Sequence, residues 1–192
     1  MKFYEIVKRA NDLVASFLLI ILLLPFMIFI ILINALSIKG NPFFVQIRVG
    51  RNEKSFKICK LRTLKRSAPS NTPSENISNI KTYATKYSFF LRKTGIDEIP
   101  QLFNILIGQM SFIGPRPCLE NDKKLVELRK SLGAFKERPG LTGLAQINSL
   151  NNESIESKAK YDAIYCKSIS LKLDCNIFCK TIKFVFKRLR KK

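Results

Sequence analysis

From Leu13 to Ile38 the chain carries no charged side chain, a run of about 26 residues dominated by Leu, Ile and Phe. A helix of that length is long enough to cross the hydrocarbon core of a bilayer. A cleaved signal peptide does not fit, because the run is too long and no small-residue cleavage site follows it. Two readings remain: a single spanning helix, or a re-entrant hairpin that enters and leaves by one face. Pro25 lies in the middle of the run. Proline removes a helical hydrogen bond and clashes with the preceding turn, so it bends a helix. Each half is then roughly 18 Å long and too short to span alone. Lys2, Lys8 and Arg9 precede the run, and Lys39, Arg48, Arg51 and Lys54 follow it. The positive-inside rule keeps both basic flanks on the cytoplasmic side, which a hairpin satisfies and a single crossing does not. The expected division is a membrane hairpin over residues 1–40 and a cytoplasmic-face catalytic domain over 41–192.

Composition narrows the chemistry. Lys and Arg total 34 against 14 Asp and Glu, a formal net charge of +20, which favours anionic partners. There is no histidine, so imidazole acid–base catalysis and mixed Cys/His zinc sites are excluded. The five cysteines are irregularly spaced and read as reduced thiols. Cys175 and Cys179 share a helix face by spacing and are expected to pack in a core or an interface.

Beyond the apolar run, Phe43–Ile47 and Phe56–Leu61 read as two strands joined by a turn at Asn52-Glu53, a small β-hairpin. Ser67 to Asn79 is rich in Ser, Asn, Thr and Pro and reads as a loop. Lys81 to Lys93 reads as a helix. Asp97 and Glu98 then stand side by side in a chain with few acids, just after Arg92 and Lys93. They fall in the first turn of a helix beginning near Gly95, with Glu98 placed to reach back to the cap amide. Helix N-termini attract acids for electrostatic reasons alone. Without histidine, however, carboxylates are the leading candidates for catalysis. Leu102, Phe103, Leu106 and Met110 form an apolar stripe.

Two prolines flank Arg116 and stiffen its loop, which suits a guanidinium that clamps phosphate. Arg138-Pro139-Gly140-Leu141-Thr142-Gly143 is a second Gly/Pro-bearing turn, whose amides are candidates for an anion. Ile177 to Lys192 reads as a basic amphipathic helix, with Phe178, Ile182, Val185, Phe186 and Leu189 at spacings of three and four. That pattern suits an anionic lipid surface. With the apolar run beside it, it argues against nucleic acid as the partner.

Taken together, these blocks resemble the monotopic phosphoglycosyl transferases, the bacterial sugar transferases. The resemblance covers Lys8 to about Lys183. It rests on Lys8-Arg9 before the proline-bearing segment, Phe44–Gly50, Phe56–Thr63, Asp97–Asn104, Met110–Pro117, Arg138–Asn148 and Tyr161–Tyr165, all in the family's order. It implies an α+β, mostly helical fold with amphipathic interfacial helices around a cytoplasmic active site. It also implies transfer of sugar-1-phosphate from a UDP-sugar to a polyprenol phosphate, with release of UMP and a covalent aspartyl-phosphosugar intermediate.

Asp97 matches the nucleophile and Glu98 its partner. Lys60, Arg92, Arg116 and Arg138 are the candidates to supply positive charge to the diphosphate, Arg92 and Arg116 matching basic positions of the family most closely, and Gln146 joins them as an expected substrate-binding residue. Mg²⁺ is the implied cofactor, with Asp97 as its protein ligand. The implied place is the bacterial inner membrane, monotopic, facing the cytoplasm. The sequence departs from the family pattern at Leu24, Gly95 and Gln109, where serine, serine and an acid are common. A non-catalytic basic protein of the membrane surface would explain the charge and the apolar run, but not the acid pair or the rigid arginine loops.

Overall fold

A computed structural model describes residues 2–69, 80–148 and 154–190. The expected loop at Ser67 to Asn79 lies outside the described residues from position 70 onward. Helix α1 (Lys2–Ile38) leads into a β-hairpin, β1 (Phe43–Val49) and β2 (Ser55–Leu61). Short helices α2 (Ile80–Tyr83), α3 (Lys86–Thr94) and α4 (Gln101–Leu106) follow. Strand β3 (Ser111–Ile113), helix α5 (Lys123–Leu132), strand β4 (Gly140–Thr142) and helices α6 (Leu144–Asn148), α7 (Ile155–Lys167) and α8 (Leu171–Arg190) complete the order. The expected mostly helical α+β class is what these elements form.

Helix α1 runs unbroken through Pro25, so the expected separation into two helical halves does not appear in the hydrogen-bonded backbone. Its 37 residues make a helix on the order of 55 Å long. One stripe of it lies against the rest of the protein. Near its start, Lys8 Nζ is 2.6 Å from Asp174 Oδ2, and the Arg9 guanidinium donates to the carbonyls of Ile105 and Leu106 at 2.7 and 2.8 Å. Leu19, Ile20 and Leu23 pack against Phe56, Ile58, Leu102, Ile105 and Met110. Met27, Ile30 and Ile31 pack with Leu61 and Leu91. Toward the far end, Asn34 Nδ2 donates to the carbonyls of Pro42 and Arg62 at 3.2 and 3.1 Å. These positions recur every three or four residues, the signature of one helix face. The opposite face leaves Phe17, Leu18, Ile21, Leu22, Phe26 and Phe29 exposed. The helix is long and apolar enough to cross a membrane.

The hairpin forms as expected, antiparallel with Val45 opposite Cys59. Asn52 and Glu53 both take positive φ in its turn, at 54° and 61°. The expected helix at Lys81 to Lys93 divides into α2 and α3. Thr85 caps α3 by accepting from the Ser88 amide at 3.1 Å, a side-chain competition that ends one helix and starts the next. Asn104 fixes α4 to β2. Its Nδ2 donates to the Lys57 carbonyl at 2.8 Å and its Oδ1 accepts from the Cys59 amide at 3.2 Å. Strand β2 therefore meets α4 at the residues just before Lys60.

Strands β3 and β4 pair in parallel, Ser111 with Gly140 and Ile113 with Thr142. Three glycines make the pairing possible. A Cβ at Gly114 would collide with the Arg138 carbonyl, and one at Gly143 with the Gly114 carbonyl. The Gly140 amide donates to the Pro115 carbonyl at 2.9 Å, and the Gly114 amide to Thr142 at 2.9 Å. The expectation that glycine amides of this turn meet an anion is corrected here: Gly140 spends its amide on backbone pairing. Cys175 and Cys179 are exposed on α8, so of the two expected environments, core or interface, the core is not the one they occupy. All five cysteines are free thiols.

A polar centre closes the fold at the base of α1. Asp174, buried in the first turn of α8, accepts from Tyr4 at 2.7 Å, Lys8 at 2.6 Å and Tyr165 at 2.8 Å. Tyr165 is fully buried, and burial with the neighbouring Asp174 drives its phenol well above the usual range.

Candidate active site

The acid pair sits on a single turn of 3₁₀ helix, Ile96–Glu98, between α3 and α4. Gly95 ends α3 and starts this turn with φ 77°, a left-handed backbone that glycine adopts without steric cost. Pro100 then opens α4. The reversal at Gly95 swings Asp97 and Glu98 toward the end of β2 instead of placing them on a regular helical turn. Glu98 does not act as the expected capping side chain. Its carboxylate is 3.0 Å from Lys60 Nζ on β2 and 3.8 Å from Arg116 Nη2. A charge-assisted bond to an ammonium outcompetes a neutral amide for the same oxygen.

These groups line one cavity of about 310 Å³. Asp97, Glu98, Lys60, Arg92 and Arg116 all face it, as do Arg62, Thr63 and Arg188. Ala68 and Pro69 also line it, so part of the expected loop borders the site. Five of the seven residues proposed from sequence thus meet in one place, although Lys60 and Arg116 are 56 positions apart. Arg138 and Gln146 do not line the cavity. Arg138 Nε donates to the Gly108 carbonyl at 2.9 Å, and Gln146 Nε2 to the Leu141 carbonyl at 3.2 Å. Both serve the β3–β4 turn structure. The sequence suggested Arg138 because a Gly/Pro turn with an arginine looks alike whether its amides face a ligand or another strand, and Gln146 entered only through the family resemblance.

The electrostatics separate the two acids. Burial raises the Asp97 carboxyl, and the neighbouring Glu98 charge raises it further. Lys60 and Arg92 pull it back, and it rests at about 6. Burial also works to raise Glu98, but Lys60 and Arg116 outweigh it and leave this carboxyl below its usual range. Burial pulls the Lys60 ammonium down, against the attraction of Glu98. Glu98 is therefore the settled anion of the pair, held between two cations. Asp97 carries the more reactive charge, less stabilised and close to neutral pH in its titration. Pairs whose surroundings push their pKa values apart divide their chemical roles in this way.

A buried ion pair behind the site supports the loop that carries Arg116. Arg129 of α5 is 2.5 Å from Asp162 of α7, and its other terminal nitrogen donates to the Arg116 carbonyl at 2.7 Å. Both side chains are inaccessible to solvent, at 4% and 0% exposure. Burial raises the Asp162 carboxyl and Arg129 opposes the rise. The sequence reading marked the Tyr161–Tyr165 block without giving it a task. Arg129 had no local signal, because its partners lie 13 and 33 positions away. Arg188 was read only as part of a lipid-facing tail. The return of α8 past α3 brings it to the cavity mouth.

Among the described residues no group of three or more acids and cysteines gathers as a ready metal cage. Magnesium does not require one, since it is commonly held by one or two carboxylates together with substrate phosphates and water. Asp97, half-buried and facing the cavity, fits that donor pattern, whereas Glu98 is already engaged by Lys60.

The sequence matches the family model described as bacterial sugar transferase over residues 3–188. It is 34% identical over 182 residues to a UDP-glucose:undecaprenyl-phosphate glucose-1-phosphate transferase of Klebsiella pneumoniae, which covers 91% of this chain and 39% of that protein. It is 36% identical over 180 residues to the uncharacterized sugar transferase EpsL of Bacillus subtilis, covering 94% and 87%. The exopolysaccharide production protein ExoY of Sinorhizobium fredii is 34% identical over 194 residues, covering 93% and 84%. The chain thus spans most of the smaller relatives but only about two fifths of the larger ones, 39% in Klebsiella pneumoniae and 40% in the Erwinia amylovora UDP-galactose-lipid carrier transferase. On the extent of the family match and the coverage of these relatives, the chain belongs to the bacterial sugar transferase family.

Proposed function

We propose that this protein transfers sugar-1-phosphate from a UDP-sugar to a polyprenol phosphate such as undecaprenyl phosphate, at the cytoplasmic face of the bacterial inner membrane. The products are a polyprenol-diphosphate-linked sugar, which starts a glycan, and UMP. The observation that carries the reading is the pairing of an accessible Asp97, raised to about 6, with Lys60, Arg92 and Arg116 around one cavity. The activity for which the Klebsiella pneumoniae relative is named points the same way.

The chemistry follows from the carboxylate. An oxygen of Asp97 attacks the β-phosphorus of the donor. The bond from that phosphorus to the UMP oxygen breaks, and UMP leaves with the electron pair. The sugar phosphate is then held on Asp97 as an acyl phosphate. An oxygen of the lipid phosphate attacks the same phosphorus, the Asp97–phosphorus bond breaks, and the carboxylate is restored. A carboxylate nucleophile needs no base to activate it, which suits a chain without histidine. Magnesium, with Asp97 as its protein ligand, would neutralise donor diphosphate charge when bound. Arg92 and Arg116 are placed to stabilise the negative charge that gathers on the oxygens in the transition state. Lys60 keeps Glu98 anionic and fixed, so the second acid positions the cation wall and does not compete as nucleophile.

The membrane arrangement has support from α1. Its contacts run from Tyr4 to Asn34 on one face, so both ends of the apolar helix are tied to the same body. The opposite face, exposed and apolar, suits contact with lipid, and re-entry by one membrane face would need a bend at Pro25 beyond the unbroken helix seen here. The exposed apolar residues Phe178, Phe184 and Phe186 of α8, among basic neighbours, suit contact with anionic lipid.

The test is UMP release by the detergent-purified chain with polyprenol phosphate, Mg²⁺ and a panel of UDP-sugars. Release with at least one sugar, abolished in Asp97→Asn, is the expected result. Near-normal release by Asp97→Asn would remove Asp97 as the nucleophile, and no release with any sugar would refute the transferase reading.

A further inference from the structure

We propose that Arg188, near the end of α8, receives the phosphate of the lipid acceptor, and that the apolar residues beside it lead the isoprenoid chain to the cavity. The proposal rests on the transferase reading and adds where its second substrate binds. The cavity wall is built from β1, β2, residues 62–69, α3, the acid turn and Arg116, and α8 contributes Arg188 to it. Lys60 and Arg116 are turned toward Glu98 at 3.0 and 3.8 Å, and Arg92 donates to Thr63 at 3.5 Å. Arg188 forms no ion pair among the described residues, although its charge is felt at Glu98.

The two substrates make different demands. The donor is soluble and brings a diphosphate. The acceptor is an amphiphile, with an anionic head and a long apolar chain, and it must reach the phosphorus on Asp97 from the membrane. Its site therefore needs a cation at the junction of the cavity with an exposed apolar surface. Arg188 meets that requirement. Phe184 and Val185 stand four and three positions before it and share its helix face, and Leu189 follows it. Those three are 41%, 36% and 41% exposed. The aliphatic stem of an arginine can lie on such a surface while its guanidinium forks two phosphate oxygens.

The two half-reactions give a clean test. Exchange of labelled UMP into UDP-sugar, without lipid, reads the donor step. Full turnover against polyprenol phosphate concentration reads the acceptor step. Arg188→Gln should leave exchange within about twofold of the parent and raise the KM for polyprenol phosphate roughly ten- to a hundred-fold, the loss expected for one charge-assisted contact. Arg188→Lys should recover part of that loss, keeping the charge without the fork. An unchanged lipid KM in Arg188→Gln would overturn the proposal, and so would an equal loss in exchange and turnover. Absence of exchange in a parent chain that still releases UMP with lipid would instead refute the covalent step, and absence of both would refute the transferase reading itself.

Discussion

Removing one partner of the Arg129–Asp162 pair should cost far more than removing both. The pair is buried at 4% and 0% exposure, so Asp162→Asn leaves a guanidinium with no counter-charge in a medium that solvates it poorly. Breaking a buried pair on one side costs about 3–5 kcal/mol. Stability of a domain is about 5–15 kcal/mol in total, so this is a large part of it. For a chain of this size, 1 kcal/mol moves the melting temperature by about 2–4 °C, which places Asp162→Asn and Arg129→Met roughly 6–20 °C below the parent.

The double variant behaves differently. Arg129 Nε and Asp162 Oδ1 have no hydrogen-bond partner among the described residues, so the intact pair is incompletely satisfied. Replacing both charges together avoids the stranded ion and should cost no more than the worse single change. Activity should not recover with stability, because the Arg116 carbonyl has lost the donor at 2.7 Å that fixes its loop. A displacement near 1 Å at a reacting site can cost on the order of a hundredfold in rate. Thermal melts by circular dichroism in detergent, beside UMP release at a temperature where all variants are folded, supply both readings. Single variants that melt within about 2 °C of the parent would refute the burial argument. A double variant with parental turnover would refute the link to Arg116.

The donor exchange reaction should lose kcat/KM as pH falls through about 6, because Asp97 must be charged to attack and its carboxyl has been raised to that value. A flat profile down to pH 5 would contradict this. The same shift makes Asp97 a burden on the fold above that pH: its favourable contribution is complete below the ordinary carboxylate range near 4 and disappears as pH rises through 6, so Asp97→Asn should raise the melting temperature at pH 8. Lys60→Met should move the acid limb of exchange upward, since Lys60 lowers both carboxyls, and should reduce kcat/KM at pH 7 at least tenfold. An unmoved limb would show that Lys60 does not set the charge of the pair. Gly143→Ala must push against the Gly114 carbonyl and should destabilise by about 1–3 kcal/mol, read as a lower melting temperature; a neutral result would mean the β3–β4 junction yields more easily than its packing indicates.

The part of the site that could be read from sequence is the part written in short stretches. Asp97 and Glu98 are adjacent, Arg92 is one turn away, and the prolines beside Arg116 mark a stiff loop. What could not be read depends on pairings between distant segments. Arg138 is spent on the Gly108 carbonyl and Gln146 of α6 on the Leu141 carbonyl of β4, and no local pattern announces a parallel strand pair across some thirty residues. Glu98 fits a capping rule, but a lysine delivered by β2 offers the stronger partner. The break between α2 and α3 was available in Thr85 and Ser88, a short capping motif hidden inside an otherwise helical composition. Pro25 stands in the middle of the apolar run, but a proline inside a long apolar helix does not by itself say whether the backbone separates there.

The polar centre at Asp174 also sets an order of events in time. Tyr4 and Asp174 are 170 positions apart in the chain. At roughly 5–20 residues per second, a ribosome adds Asp174 about ten to thirty seconds after Tyr4. Throughout that interval the root of α1, at Tyr4 and Lys8, lacks the partner that finally holds it. Helix α8 is thus the latch for α1, and the cavity wall that takes Arg188 from α8 is completed only when that latch closes.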